Sequence, residues 1–395
     1  MKLDLEIITP VIINDSNELT SLDFFLSEDN IAYRVDINAT ISNISKDPKL
    51  LEEFSNIIKE DYTQKTQKAY GKSEYSKSTK INDFYAKLER DKLLEKIYPQ
   101  INKYDPEFLK QKNIANYIGF YKKINDLIYY VPYIPGSTIK GAIRNAILYK
   151  ILKEKRVMYS FINSKKISVY QSFLTNRKNI EQENFAYENS KNKRSNSDIF
   201  KFLHITDFIP KNIKDIKLGI FQQKVSITNS QNRRNMKLVF MNLVLSGTFE
   251  GEIKIKKDLI YAFSKIEDKT IFLDRLNNIF NINKEEMANF QNNFLQTENK
   301  IILNLLSSLN TFSYDNIKKY GNIYPSIPAP VPDSNSFYAF LGAHKGLNLN
   351  TILEAIDPTD RKKIYYKNYP PKTNKLAFIE NKDVKLGFVK FSKEK

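Results

Sequence analysis

The segment from residue 131 to residue 144 constrains the fold of this chain more than any other feature of its sequence. Pro132, Pro135 and Gly136 force the backbone into an extended turn. Apolar side chains then recur at the i, i+3, i+4, i+7 spacing of a helix that packs against a sheet. These positions are Ile139, Ala142, Ile143, Ala146, Ile147 and Ile151. The sequence therefore predicts a strand, a tight turn and an amphipathic helix in direct succession.

The polar side of this helix predicts an anion site. Lys140 and Arg144 are one helical turn apart, so both side chains point the same way. Glycines leave the backbone bare beside the helix N-terminus, where free N–H groups and the helix dipole favour a negative charge. The candidate ligands are Gly136, Ser137, Thr138, Lys140, Gly141 and Arg144. A purely structural junction between turn and helix is the alternative, and the residues alone leave it open.

The charge of the chain indicates a polyanionic partner, so a phosphate of a nucleic-acid backbone is the anion that we expect. The formal net charge is +17 and the isoelectric point is near 9.4, as in many nucleic-acid-binding proteins. Lysine far outnumbers arginine. The positive charge can therefore also be explained by the codon composition of an AT-rich genome. The positions of the charges must decide between the two.

What the chain lacks excludes several functional classes. It has no cysteine, which excludes disulfides, zinc knuckles, iron–sulfur clusters and thiol catalysis. With only two histidines, neither a multi-histidine metal centre nor a Ser-His-Asp triad is expected. The N-terminus lacks the apolar core of a signal peptide, and no run of about 18 apolar residues follows. We expect a soluble cytoplasmic protein without cofactor, bound metal or membrane contact.

Length and element pattern predict two α+β domains. Single hydrophobic cores stop growing near about 250–300 residues, and this chain has 395. We predict an N-terminal domain at residues 1–154 with a helical insertion over about 45–115, and a C-terminal domain at 155–395 with a helical segment over about 257–310. Strands on both sides of an inserted helical lobe favour ferredoxin-like sandwiches of the RRM type over a doubly wound sheet.

Alternating apolar and polar residues predict the strands. They cover residues 2–7, 31–37, 202–205, 219–227, 237–256 and 386–390. Residues 63–80 and 184–197 are polar without an apolar period, which predicts loops without fixed structure. The loop between the strands that end at 227 and begin at 237 carries Arg233 and Arg234, which gives a long hairpin with a basic tip.

Three weaker candidate sites remain. Asp23 lies with Asp15 and Glu18 in an acidic first loop, where a carboxylate would hold a divalent cation for RNA cleavage; surface solvation is the simpler interpretation. His344 and Lys345 lie in a glycine-flanked loop, where a phosphate or base contact and a plain turn are equally compatible with the residues. His204 alternates with apolar neighbours, as a half-exposed strand histidine does.

Several segments together resemble the RAMP superfamily of CRISPR proteins. They cover residues 5–11, 22–24 with 33–36, 134–144, 203–207, 341–346 and 386–390, and the Pro-Gly-Ser-x-x-Lys-Gly-x-x-Arg motif of 135–144 is the most specific. Within the superfamily, their order and spacing resemble the subunit of the type III-A Csm complex that caps the backbone at the crRNA 3′ end. Two departures are visible: Ile12-Ile13-Asn14-Asp15 replaces a segment that often contains His and Gly, and Gly387 is the only glycine of its loop.

The resemblance implies two ferredoxin-like RAMP domains, each of the RRM type. It implies a structural, non-enzymatic subunit that binds crRNA, supports crRNA maturation and takes part in antiviral defence. The implied partners are crRNA, the other Csm subunits, chiefly the repeated backbone subunit, and host nucleases that trim the crRNA 3′ end. By the residues alone, a metal-dependent endoribonuclease of the superfamily that uses Asp23, or a pure assembly scaffold, remain alternatives.

Overall fold

Three β-sheets organise the chain. The computed structural model describes residues 1–68, 78–110, 113–155, 181, 184–187, 198–227, 239–266, 269–290, 292–320, 335–342, 373–380 and 382–394. The strands are β1 (Lys2–Ile7), β2 (Asn14–Leu19), β3 (Phe24–Leu26), β4 (Ala32–Val35), β5 (Lys96–Ile101), β6 (Lys103–Tyr104), β7 (Ile114–Tyr117), β8 (Gly119–Ile124), β9 (Leu127–Pro132), β10 (Leu203–Ile205), β11 (Ile209–Pro210), β12 (Lys217–Ile227), β13 (Val239–Ser246), β14 (Thr248–Ile255), β15 (Ser336–Phe340), β16 (Thr373–Ile379), β17 (Lys382–Lys385) and β18 (Phe388–Lys393).

The same residues form eight α-helices, so the predicted α+β class is confirmed. The helices are α1 (Ile37–Ile44), α2 (Pro48–Lys68), α3 (Ser78–Arg90), α4 (Gly136–Lys155), α5 (Asp258–Lys265), α6 (Lys269–Phe280), α7 (Lys284–Ala288) and α8 (Phe294–Tyr320). None of these helices is long and apolar enough to cross a membrane. Arg233, Arg234, His344 and Lys345 lie outside the described residues, as does most of 184–197.

The first strand joins the two ends of the chain. Leu3, Leu5 and Ile7 are buried while their neighbours face outward, as the alternation predicts. β1 pairs antiparallel with β14 on one side and with β18 on the other, in a sheet of order β10-β14-β1-β18-β15 with β11 added on β14. The amino-terminal strand therefore lies at the centre of a sheet whose other strands all come from residues 203–393.

The second sheet also mixes the two halves of the chain. Its order is β17-β16-β12-β13-β7-β2, with β6 paired to β12, so strands from before residue 120 lie beside strands from after residue 217. One continuous hydrophobic core includes Leu5, Ile143, Phe249 and Phe391. The predicted domain boundary between residues 154 and 155 separates strands that pair within the first sheet and within the second sheet, and it also divides this core. The boundary therefore does not coincide with a boundary between sheets.

The third sheet carries the inserted helices, and here the predicted insertion is wrong in its second half. The order is β3-β4-β5-β9-β8. The helices α1, α2 and α3 pack against this sheet in a buried cluster that includes Phe25 of β3, Phe54 of α2 and Phe84 of α3. Helix α3 ends at Arg90 and the chain continues as β5, β6 and β7 before residue 118, although a helix to about 115 was expected. Pro99 has no N–H to donate and breaks any helix through this segment.

The predicted helical segment over 257–310 is four helices, α5 to α8, and the last continues to Tyr320. Asn283 is the N-cap of α7. Its side chain accepts a hydrogen bond from the Glu286 N–H, as in a capping box. The predicted helix after the Pro-Gly turn is confirmed as α4, which begins at Gly136 rather than near residue 139.

Gly387 joins three segments that are distant in the sequence. Its N–H donates to the Pro10 carbonyl at 2.8 Å, and its own carbonyl accepts from the Leu341 N–H at 2.7 Å. The next residue, Phe388, donates its N–H to Thr9 Oγ1 at 2.9 Å. Gly387 has a φ of +91°, which side-chain-bearing residues rarely adopt. An added Cβ would overlap the Leu341 carbonyl oxygen.

We predict that Gly387→Ala lowers the free energy of unfolding by about 2–3 kcal/mol, because it combines a strained φ with a backbone overlap. Urea denaturation followed by circular dichroism measures the change. Gly141→Ala is the control, because a Cβ added there has no atom within 4 Å, and its stability should not fall. Equal losses in the two variants would contradict the role given to Gly387.

Candidate nucleic-acid interface

Residues 203–207 hold the start of α4 in place. The Gly136 N–H donates to Asp207 Oδ1 at 2.8 Å, and Lys140 Nζ donates to the Leu203 carbonyl at 2.8 Å. A Cβ at position 136 would overlap the Ile205 carbonyl oxygen, so only glycine allows the two backbones to approach this closely. Two segments that each resemble RAMP proteins thus form one structural unit.

Arg144 is bound by carboxylates of its own chain. Its Nε lies 3.1 Å from Glu181 Oε2, and its Nη1 is hydrogen-bonded to Asp198. The guanidinium also lies over the rings of Phe185 and Phe200, 4.4 and 5.3 Å from their centroids. The side chain is 26% exposed. Any phosphate at Arg144 must therefore compete with two carboxylates, which gives this residue a structural role that its spacing from Lys140 did not indicate.

The outer side of α4 presents a glycine, Gly141, that the contacts of the described residues do not require. Gly141 is exposed, in line with exposed Ser137 one turn earlier. A Cβ at 141 would meet nothing within 4 Å. Glycine inside a helix costs about 1 kcal/mol relative to alanine, and no contact among the described residues explains it. The backbone at 141 is therefore open to close approach by another molecule.

Lys256 adds a cation beside this surface that was not found from the sequence. Burial lowers the pKa of Lys140; nearby Asp198 opposes this effect, and the positive charges of Lys256 and Arg144 lower the pKa further. Lys256 follows β14 directly, and its N–H donates to the Phe202 carbonyl at 2.8 Å. The pairing of β10 with β14 brings it near Lys140, whereas no local pattern links residues 140 and 256.

The acidic segment predicted as a first loop is in part a strand, because Asp15 and Glu18 lie in β2, and Asp23 follows in a short turn. Asp23 Oδ2 accepts hydrogen bonds from the Thr20 N–H at 2.7 Å and from Thr20 Oγ1 at 2.9 Å. Within the part of the chain that the structure describes, no three Asp, Glu or His side chains are grouped to hold a metal ion. His204 is exposed on β10 opposite Lys254, as predicted for a strand histidine.

A sequence model described as the RAMP superfamily matches residues 4–323. The match covers most of the chain, so the chain belongs to the RAMP superfamily. Within it, the chain is 24% identical over 403 residues to the CRISPR system Cms protein Csm5 of Methanocaldococcus jannaschii, covering 99% of this chain and 81% of that protein. The resemblance to this superfamily and to its Csm-complex subunit is confirmed by these matches.

Two solved structures share the fold. One is a chain of a cryo-EM structure of a Csm–crRNA–target RNA ternary complex of a type III-A CRISPR–Cas system, with a TM-score of 0.60 and 20% identity over 98% of this chain and 99% of that chain. The other is a crystal structure of T. onnurineus Csm5, with a TM-score of 0.54 and 19% identity over 98% of this chain and 99% of that one.

We predict that Arg144→Met lowers the free energy of unfolding by about 2–3 kcal/mol, because it leaves two half-buried carboxylates without their cation. Lys153→Met is the matched control on the same helix. This substitution removes the ion pair between Lys153 and Asp315. The Lys153 side chain is 55% exposed, and exposed ion pairs contribute about 0–1 kcal/mol to stability. Chemical denaturation at neutral pH compares the two, and similar losses would show that Arg144 does not stabilise this region.

Proposed function

We propose that this chain is the Csm5-type subunit of a type III-A CRISPR complex, and that it binds crRNA without catalysing a reaction. Similarity to a Csm5 protein extends over 99% of the chain, and one structure of the same fold belongs to a Csm–crRNA–target RNA complex. The net charge of +17 suits a partner with a phosphate backbone.

The exposed glycine on α4 is the observation that carries the proposal. A Cβ at Gly141 would meet no atom of the described residues within 4 Å, Ser137 lies one turn away, and Lys140 and Lys256 supply positive charge beside them. A sugar–phosphate chain would approach the bare backbone at 141 and take hydrogen bonds from Ser137 and Lys140. Such contacts bind backbone independently of base identity, which is what a subunit that receives many different guides requires.

The proposal extends to the end of the guide. We assign this subunit to the crRNA 3′ end, where it caps the repeated backbone subunits and supports 3′-end maturation by recruited nucleases in antiviral defence. The remaining predicted ligands, Arg233, Arg234, His344 and Lys345, stay part of the RNA-binding proposal. Thr138 is half-buried, and its N–H donates to the Pro135 carbonyl at 2.9 Å. Arg144 contributes mainly by shaping the surface.

We predict opposite effects of Gly141→Ala on folding and on binding. The free chain should gain about 1 kcal/mol of stability, because alanine is the better helix former. Its affinity for crRNA should fall by about tenfold, since the new methyl group occupies the space of the approaching backbone. Lys140→Ala should lower the log–log salt slope of binding by about 0.7, the value for one phosphate on single-stranded RNA.

Fluorescence anisotropy with labelled crRNA at several salt concentrations measures both effects. Lys150→Ala, which removes the same charge further along α4, is the control and should leave affinity and slope unchanged. If Gly141→Ala binds crRNA as tightly as the parent chain, or if Lys140→Ala and Lys150→Ala behave alike, this surface does not hold the RNA backbone.

The position at the guide end has a separate test. A photoreactive 4-thiouridine placed near the 3′ end of the guide should cross-link to this subunit in the assembled complex, whereas the same nucleotide near the 5′ end should not. Equal cross-linking from both positions, or cross-linking from the 5′ end alone, would contradict capping at the 3′ end. Binding of crRNA itself would be unaffected by that result.

A further inference from the structure

Strand β8 is an open edge of the third sheet. The sheet ends at β8, and no described strand pairs with its outer side. β8 pairs with β9 in unbroken register from Gly119 opposite Pro132 to Ile124 opposite Leu127. Residues 120–123 are all exposed. Other edges differ: β3 has three residues, β17 has four, and β2 pairs with a register shift. In the first sheet the edge strands β10 and β15 have three and five residues, so β8 with six is the longest edge strand of unbroken register among the described residues.

The turn after β8 determines which backbone groups face outward. Asn125 and Asp126 have φ values of 48° and 63°, which define a two-residue type I′ turn. Ile124 and Leu127 therefore form a hydrogen-bonded pair, and the pairs alternate along the antiparallel ladder. Tyr121 and Lys123 then point their N–H and C=O groups away from β9. Pro132 agrees with this count, because it lacks an N–H and falls at a non-hydrogen-bonded position.

The side chains of this edge are aromatic as well as basic. Phe120 is 42% exposed and Tyr121 is 57% exposed, and adjacent strand residues lie on opposite faces. Natural edges are often protected by lysine, and Lys122 and Lys123 are present here. Lysine alone would suffice for protection, whereas two exposed aromatic rings provide apolar contact area on each face for an added chain.

Tyr121 contacts a buried cation, Arg34, that has no carboxylate partner among the described residues. Arg34 on β4 is only 6% exposed, and its Nη2 donates to the Tyr121 hydroxyl at 3.2 Å. Its guanidinium lies 4.2 Å from the centroid of the Tyr130 ring, while Nε and Nη1 have no hydrogen-bond partner. No ion pair joins Arg34 to a carboxylate of the described residues. A buried charge without a counter-ion is costly, so this face of β8 favours an incoming negative group.

The other face of β8 has the same sign. Lys122 lies on the face opposite Tyr121 and has no counter-ion among the described residues, whereas Lys123 forms a 3.1 Å ion pair with Asp126. Positive charge therefore flanks the open backbone edge on both faces. An added strand that carries both an acidic and an apolar side chain on each of its faces would match the cations and the aromatic rings, and its backbone would match the spacing of the outward N–H and C=O groups.

We propose that β8 is the docking edge for an extended acidic segment of a second protein, which adds as a strand through the main chain of Tyr121 and Lys123. Strand addition of this kind draws affinity from backbone hydrogen bonds and specificity from the alternating side chains. The regular free N–H and C=O groups favour a polypeptide over RNA, which has no use for a β-ladder. The inference rests on the proposed function only in taking a neighbouring subunit of the complex as the source of the strand.

Hydrogen–deuterium exchange with single-residue fragmentation tests the docking edge without any substitution. In the free chain the Tyr121 and Lys123 amides should exchange freely, while the Lys122 amide, which faces β9, is protected. In the complex purified from its host the two outward amides should exchange at least tenfold more slowly, and crRNA alone should not protect them. Free-chain rates in the complex, or equal protection by crRNA alone, would overturn the inference.

Two substitutions complete the test. Lys123→Pro removes one outward N–H without removing a β8–β9 hydrogen bond and should lower incorporation into the complex by tenfold or more, whereas Lys123→Ala should not. Lys122→Glu should weaken incorporation at low salt, and an unchanged level would overturn the acidic character of the partner. Affinity of each variant for crRNA is measured in parallel, so that loss of strand docking with intact RNA binding is distinguished from failure of the proposed function.

Discussion

The contact between the start of α4 and residues 203–207 is the constraint on which the rest of the structure depends. Gly136 permits the close approach, Asp207 accepts the Gly136 N–H, and Lys140 binds the Leu203 carbonyl. β10 contains Leu203 and pairs with β14, which pairs with β1. The helix is therefore held against the first sheet, which also sets the position of its outer side.

One short motif contributes both to the fold and to the surface proposed for RNA binding, and its residues differ in which of the two they serve. At Gly136 the fold itself forbids a side chain, whereas at Gly141 nothing in the described chain does. Arg144 is held by two carboxylates and two aromatic rings. In the RNA-binding proposal the motif therefore acts mainly through exposed Ser137 and Gly141 and half-buried Lys140, with Lys256 near Lys140.

The two proposed surfaces use the large positive charge of the chain in different ways. Beside α4, cations surround an open backbone suited to a sugar–phosphate chain. At β8, cations flank a regular strand edge with exposed aromatic rings, which suits a polypeptide. Net charge alone does not distinguish these surfaces, because the geometry of the backbone between the charges determines which polymer fits.

The sequence by itself determined the local elements: α4 after its Pro-Gly turn, the alternating strand β1, the α+β class and the superfamily. Local periodicity misled at residues 91–115, since Leu94 and Ile97 continue a helical spacing although Ile97 lies in a strand. Only the tertiary structure decided that β1 lies between β14 and β18, and that Arg144 meets Glu181 and Asp198. Strand partners and ion pairs depend on groups distant along the chain, and neither leaves a local pattern in the sequence.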